Sequence, residues 1–185
     1  MGEGVWMRTK GWWLLLIMAF APVLAANAYD VSGRIVYEAK GPIGAFKGEN
    51  TAVSGALSWD PGQQAASGRV CVDLTAWDSG EPLRDKHTRS MFETDVYPEA
   101  CFELEGVRPA AAADEIVLEG RLTMHGVTLP LEIPGKLVQK PDGRLYFAGY
   151  FETRISDWGM KRPSMMGFKV RDLVKVWVYG EGVPR

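Results

Sequence analysis

The chain has 185 residues, of which 46% are hydrophobic and 24% charged, with a formal net charge of -2. That length holds one domain or at most two small ones, and the apolar fraction excludes global disorder. The slight acidity argues against nucleic acid as a partner, because phosphates need a basic face, and two His with two Cys are too few for a four-ligand zinc site without carboxylates.

The first element is an apolar run from Trp12 to Ala26, short for a membrane span. Arg8 and Lys10 precede it and Ala26-Asn27-Ala28 follows, which makes a secretory signal with its cut between Ala28 and Tyr29. Met7 competes with Met1 as the start, and an uncleaved N-terminal anchor is the competing reading of the run. Residues 1–28 are thus expected to be a leader. Residues 29–185 are expected to be one exported domain, periplasmic or secreted, where disulfides are permitted.

Period-two alternation then predicts eight strands. The first covers about Val31 to Lys40. The second, Ser54 to Asp60, sets Leu57 and Trp59 on the face of Val53. The third sets Val70, Val72 and Leu74 inward, with Cys71 outward. The fourth sets Phe102 and Leu104 inward, with Cys101 outward. The fifth aligns Ile116, Leu118, Leu122 and Met124, and the sixth aligns Val127, Leu129, Leu131 and Ile133. The seventh aligns Leu145, Phe147, Phe151 and Ile155, and the eighth Val174, Val176 and Val178. Pro130 and Pro134 cannot donate to a ladder, so the sixth strand should have an edge-like stretch. Between the third and fourth, Leu83, His87 and Met91 recur every four residues and predict a short helix with those three on its apolar face.

Eight antiparallel strands with one-sided alternation predict an all-β closed barrel with one helical crossover. A barrel of this size fills itself with side chains or holds one small ligand. Gly55, Gly120 and Gly149 fall at inward positions. Either they leave room for a tunnel or they relieve barrel curvature.

Three stretches resemble one family. Gly120 to Pro130, GRLTMHGVTLP, resembles the G-x-L-T-x-H-G-V-T-x-P signature of the YceI-like, lipocalin-like family. Leu83 to Ser90, followed by Tyr97-Pro98 and Phe102, is similar to that family's L-R-D-x-H-x-R, Y-P and phenylalanine. Ile155-Ser-Asp-Trp-Gly159 and Arg162-Pro-Ser164 are similar to its C-terminal pattern. The chain departs at Thr88, where Leu or Met is more usual, and in a short link from Ser90 to Tyr97. The resemblance implies an exported eight-stranded barrel that holds a polyisoprenoid, an isoprenoid quinone or a fatty amide. It implies no chemical step and no cofactor beyond the bound lipid, and it is compatible with a homodimer and brief membrane contact.

The candidate ligand contacts are the inward Leu57, Trp59, Val70, Val72, Leu74, Phe102, Leu104, Leu118, Leu122, Phe147 and Phe151. Leu83, His87 and Met91 of the helix join them, with Trp77 and Trp158 near the entrance. Arg84 and His125 are candidates for a polar mouth, although His125 in a tight turn more often satisfies backbone groups. Asp85 and Arg89 share a helix face by i, i+4 spacing and should pair there. Met160, Met165 and Met166 suit a lipid portal, a copper(I) site or plain packing on the barrel end. Cys71 and Cys101 are expected to form a disulfide. An enzyme using His87 with Asp85 or Ser90 is a rival reading, but no HExxH, GxSxG or CxxC spacing accompanies them. A solid-cored module that binds membrane respiratory proteins is the third.

Overall fold

Long strands rich in Val, Tyr, Phe and Trp dominate the computed structural model, which describes residues 27–62, 65–110, 112, 115–165 and 167–185. The predicted leader lies outside them, save for Asn27 and Ala28, which pair with Trp59 and Ser58. The strands are β1 (Asn27–Gly41), β2 (Gly44–Asp60), β3 (Ala65–Asp73), β4 (Glu99–Pro109), β5 (Glu115–Met124), β6 (Val127–Gln139), β7 (Leu145–Arg154), β8 (Ser164–Met165), β9 (Phe168–Lys169) and β10 (Leu173–Pro184). Eight of them close an antiparallel barrel in the order β1-β10-β7-β6-β5-β4-β3-β2, and β8 and β9 form a separate hairpin.

One helix, α1 (Pro82–Phe92), interrupts the β pattern. Pro82 opens it, where a missing N–H costs nothing, and Glu93 ends it in the left-handed region at φ 51°. The β1–β2 turn, α1, the β5–β6 turn and the segment from Ile155 to Asp172 all lie at one barrel end, because the strands alternate in direction. We call this the mouth end.

Strand β2 is much longer than its alternation predicts, and the reason is a bulge. The register with β1 shifts between Gly33 and Ile35, opposite Asn50 to Val53. Gly48 and Asn50 are buried on one side of the shift and Val53 on the other, so the inward parity changes from even to odd. Asn50, only 1% exposed, holds the bulge. Its Nδ2 donates to the Asp73 carbonyl at 2.7 Å, and its Oδ1 accepts from the Ala52 N–H at 2.9 Å.

Strand β6 has the edge-like stretch that its prolines require. It pairs with β5 along Val127 to Lys136 but with β7 only from Gly135 onward, so Pro130 and Pro134 face no β7 ladder. The glycines resolve against the roomy reading. A Cβ on Gly55 would lie 2.2 Å from the Arg69 carbonyl oxygen, and one on Gly120 would lie 2.1 Å from that of Glu103. On Gly149 it would meet Phe147 and Ile133. Gly55 and Gly120 permit close strand approach, and Gly149 makes way for the Phe147 and Ile133 side chains, rather than opening space.

The helix also presents a different face from the predicted one. Asp85, Thr88 and Phe92 are buried. Leu83 is 59% exposed and His87 is exposed, while Met91 is half-buried. The Leu83–His87–Met91 row therefore lies along the rim of the barrel rather than in packed core.

Candidate functional site

The barrel interior is hollow. Inward apolar residues such as Val70, Phe102, Leu122, Phe147 and Phe151 are only half-buried despite facing the axis. They surround a cavity of about 750 Å³ that runs from the mouth to the opposite end. That size falls within the usual range for small-molecule sites. At the far end its lining includes Leu57, Trp59, Leu104, Leu118, Leu131 and Phe147. At the mouth end one wall is packed solid by Val53, Val72, Leu74, Trp77, Phe92, Ala100, Ile155, Trp158 and Met160. Within that wall Trp77 stacks parallel to Phe92 at 6.4 Å and meets the edge of Tyr37 at 5.0 Å.

Polar groups gather at the mouth. The Arg84 guanidinium lies 5.1 Å over the Phe46 ring, a cation–π contact. Thr88 Oγ1 donates to the Arg84 carbonyl at 3.0 Å and lies 3.5 Å from the Tyr37 hydroxyl. Burial pushes the Tyr37 phenol up, against the opposing hydrogen bond with Thr88, so it stays neutral at physiological pH. Among the described residues the buried Trp77 indole N–H has no hydrogen-bond partner. Trp158 donates its own to Thr153 Oγ1 at 2.8 Å. Glu81 and His87 complete the exposed polar rim.

The description of a YceI-like domain matches residues 31–181. The chain belongs to the YceI-like family. It is 30% identical over 125 residues to Protein YceI of Shigella flexneri, a match that covers 66% of this chain and 56% of that protein. It therefore spans little more than half the length of that relative. Among solved structures, BcnA of Burkholderia cenocepacia superposes with a TM-score of 0.73 at 18% identity, over 82% of this chain and 96% of that one. A polyisoprenoid binding domain from Saccharophagus degradans gives 0.66 at 13% identity, over 87% and 99%. At these identities the two structures support the fold.

In this YceI-like barrel every one of the apolar candidate residues lines the cavity, as do His87 and Arg84. Tyr37, Phe46 and Ile43 line it as well, and the alternation missed them because they flank the β2 bulge and its hairpin. His125 does not line it. Its Nδ1 donates to the Trp158 carbonyl at 3.0 Å, its ring packs against Tyr97 at 4.7 Å, and Glu93 Oε2 lies 3.7 Å from its Nε2. It ties the β5–β6 turn to the Ile155–Trp158 3₁₀ turn at the mouth end, outside the cavity lining.

Asp85 is likewise not where spacing put it. It is buried and accepts from both the Ser79 N–H and the Ser79 hydroxyl, at 2.9 and 2.6 Å, rather than pairing with Arg89. Among the described residues no hydrogen bond joins it to His87 or Ser90.

Cys71 and Cys101 stand directly opposite on β3 and β4 and are joined as a disulfide. With Glu99 they make the one grouping of metal-ligand types found among the described residues, but both sulfurs are already bonded. Met160 is buried in the mouth wall. Met166 and the Met165 side chain lie outside the described residues. No helix among the described residues is long and apolar enough to cross a membrane.

Proposed function

We propose that this YceI-like chain holds a long apolar molecule, of the isoprenoid or fatty class, in its barrel, as an exported carrier that performs no chemical step. One observation carries the reading: apolar side chains that face the axis are only half-buried, around about 750 Å³ of unfilled space. A well-packed core leaves few voids larger than a water. By liquid volume this space equals about 25 waters, which suits a tail on the order of 20 carbon-sized groups. Each methylene withdrawn from water stabilises such a complex by roughly 0.8 kcal/mol.

Polarity sets the direction of the ligand. The far end is lined by Leu57, Leu104, Leu118 and Phe147, whereas Arg84, Thr88 and His87 cluster at the mouth. A tail would point away from α1 and its polar head would rest near Arg84. The likeness to a polyisoprenoid binding domain supports the isoprenoid class.

The test is gentle purification, organic extraction and mass spectrometry of the extract. The expected result is one dominant apolar species in near-equal amount to protein. A barrel that repeatedly yields nothing oily overturns the proposal. Fractionation of cells expressing the full chain tests export, with protein expected outside the cytoplasm.

A further inference from the structure

The charged groups of the barrel wall and those of its mouth are arranged differently. On the wall, Arg34 pairs with Glu49 at 3.2 Å, Arg108 with Glu119 and Glu132 at 2.6 Å each, and Arg144 with Glu181 at 2.7 Å. At the mouth, Lys40 is the penultimate residue of β1, Lys86 lies on α1, Lys169 closes β9, and Lys161 and Arg171 flank the β8–β9 hairpin. All five are exposed, and none has an ion-pair partner among the described residues. Asp85, the carboxylate beside Lys86, is occupied by Ser79. Acidic groups share this end: Asp78, Glu81, Glu93 and Asp95 around α1, and Asp157 and Asp172 around the Ile155–Trp158 turn. Four of the five unpaired cations, Lys40, Lys161, Lys169 and Arg171, belong to the end of β1 and to the hairpin segment that Arg171 fastens to it.

Exposed apolar side chains occupy the same rim. Ile43, at the β1–β2 tip, is 91% exposed, Phe168 of β9 is 66% exposed, and Leu83 of α1 is 59% exposed. Ile43 and Leu83 also line the cavity entrance. The Arg171 N–H donates to the Lys40 carbonyl at 2.8 Å and fastens the segment after β9 to the end of β1. Single exposed hydrophobics are ordinary. Three on separate segments around one greasy opening, interleaved with unpaired cations, are the pattern of an interfacial anchor.

We propose that the mouth face docks on an anionic phospholipid surface. Ile43, Phe168 and Leu83 enter the headgroup layer, while the lysines and Arg171 meet lipid phosphates. This seats the cavity entrance against the bilayer, so that an apolar cargo moves between the two without crossing water. The proposal rests on the carrier reading above, because only a cargo held by membranes gives the docking a purpose.

Flotation of the purified protein with vesicles tests it. Vesicles of phosphatidylcholine alone are compared with vesicles of phosphatidylcholine mixed with phosphatidylglycerol. Binding is expected to the mixed vesicles and to fall as salt is raised. Each neutralised lysine should weaken it roughly five-fold, so Lys161→Gln with Lys169→Gln should cost about 25-fold. Ile43→Ser with Phe168→Ser should remove binding to the mixed vesicles while leaving the melting temperature unchanged. Equal binding to both vesicle types, no binding to either, or variants that float like the wild type would each overturn the docking surface. So would capture of an acidic protein by a chain that ignores vesicles. Solvent extracts of the same preparations separate the two ideas: lipid in the barrel without vesicle binding removes only the docking face, and an empty barrel removes the carrier.

Discussion

Asp85 receives two hydrogen bonds from Ser79, at 2.9 and 2.6 Å, and these fix the loop that leads into α1. The pair explains why a buried carboxylate is tolerated there: both its partners are donors, one of them a backbone N–H that would otherwise be orphaned. Replacing Asp85 by Ala strands those donors. The expected loss is about 1.5–3 kcal/mol, or roughly 4–10 °C in melting temperature for a chain of this size. His87, two residues on and exposed, should tolerate Ala within about 0.5 kcal/mol. If both variants melt alike, the loop does not depend on Asp85.

Cys71 and Cys101 close a loop of 30 residues that contains α1. Chain-entropy reasoning gives such a bond about 3.5 kcal/mol. Because the two residues sit opposite each other in an existing β3–β4 ladder, reduction should lower stability without dissolving the barrel. The intact mass should rise by two hydrogens on reduction, and the urea midpoint should fall. A midpoint that ignores reductant would show that the ladder alone sets the stability of this region.

The sequence made the barrel legible wherever strands keep one parity. Strand β5 has the bounds that its alternation predicts, and Leu118 and Leu122 line the cavity as expected. It failed at β2, because a bulge at Asn50 to Val53 moves the inward set from even to odd positions and hides Phe46 and Gly48 from a single period. Helix spacing was legible, but its facing was not. A four-residue spacing of Leu83, His87 and Met91 suggested a core face, yet this short helix caps a hollow interior, so its apolar row rims an opening. His125 shows the same limit: a turn histidine gives no sign of which neighbour, here the Trp158 carbonyl, it will find.

Filling the cavity separates ligand loss from unfolding, provided the right position is filled. Leu118 faces the open interior, whereas Gly120, two residues along, touches the neighbouring backbone. Leu118→Trp should fold, cost at most about 1–3 kcal/mol, and carry several-fold less lipid in its solvent extract. Gly120→Leu should fail to accumulate as folded protein, since its Cβ alone would lie 2.1 Å from the Glu103 carbonyl oxygen. A Leu118→Trp protein that keeps its full lipid content would place the ligand elsewhere than the axis of the barrel.

Acid should loosen the mouth through Asp172. Its carboxylate accepts from the Ser156 hydroxyl at 2.6 Å and the Ser156 N–H at 3.0 Å, while its carbonyl accepts from the Ile155 N–H at 3.0 Å. These bonds clasp the 3₁₀ turn bearing the buried Trp158 to the start of β10. The Ser156 hydroxyl bond is the largest influence on the Asp172 carboxyl and, with the Ser156 N–H and the positive charges of Arg162 and Arg154, holds it below its usual value against burial, the second-largest influence. A depressed folded value means that the charged form favours folding. The contribution is therefore complete above the ordinary Asp value of about 3.9 and disappears as pH falls through the lower folded value. Ser156→Ala should raise the Asp172 titration midpoint towards the ordinary value in carboxyl NMR. Asp172→Asn should flatten the acid limb of stability, so that its deficit against the wild type shrinks below about pH 4. A midpoint unmoved by Ser156→Ala would show that the backbone N–H and the two arginines, and not the hydroxyl, hold the charge.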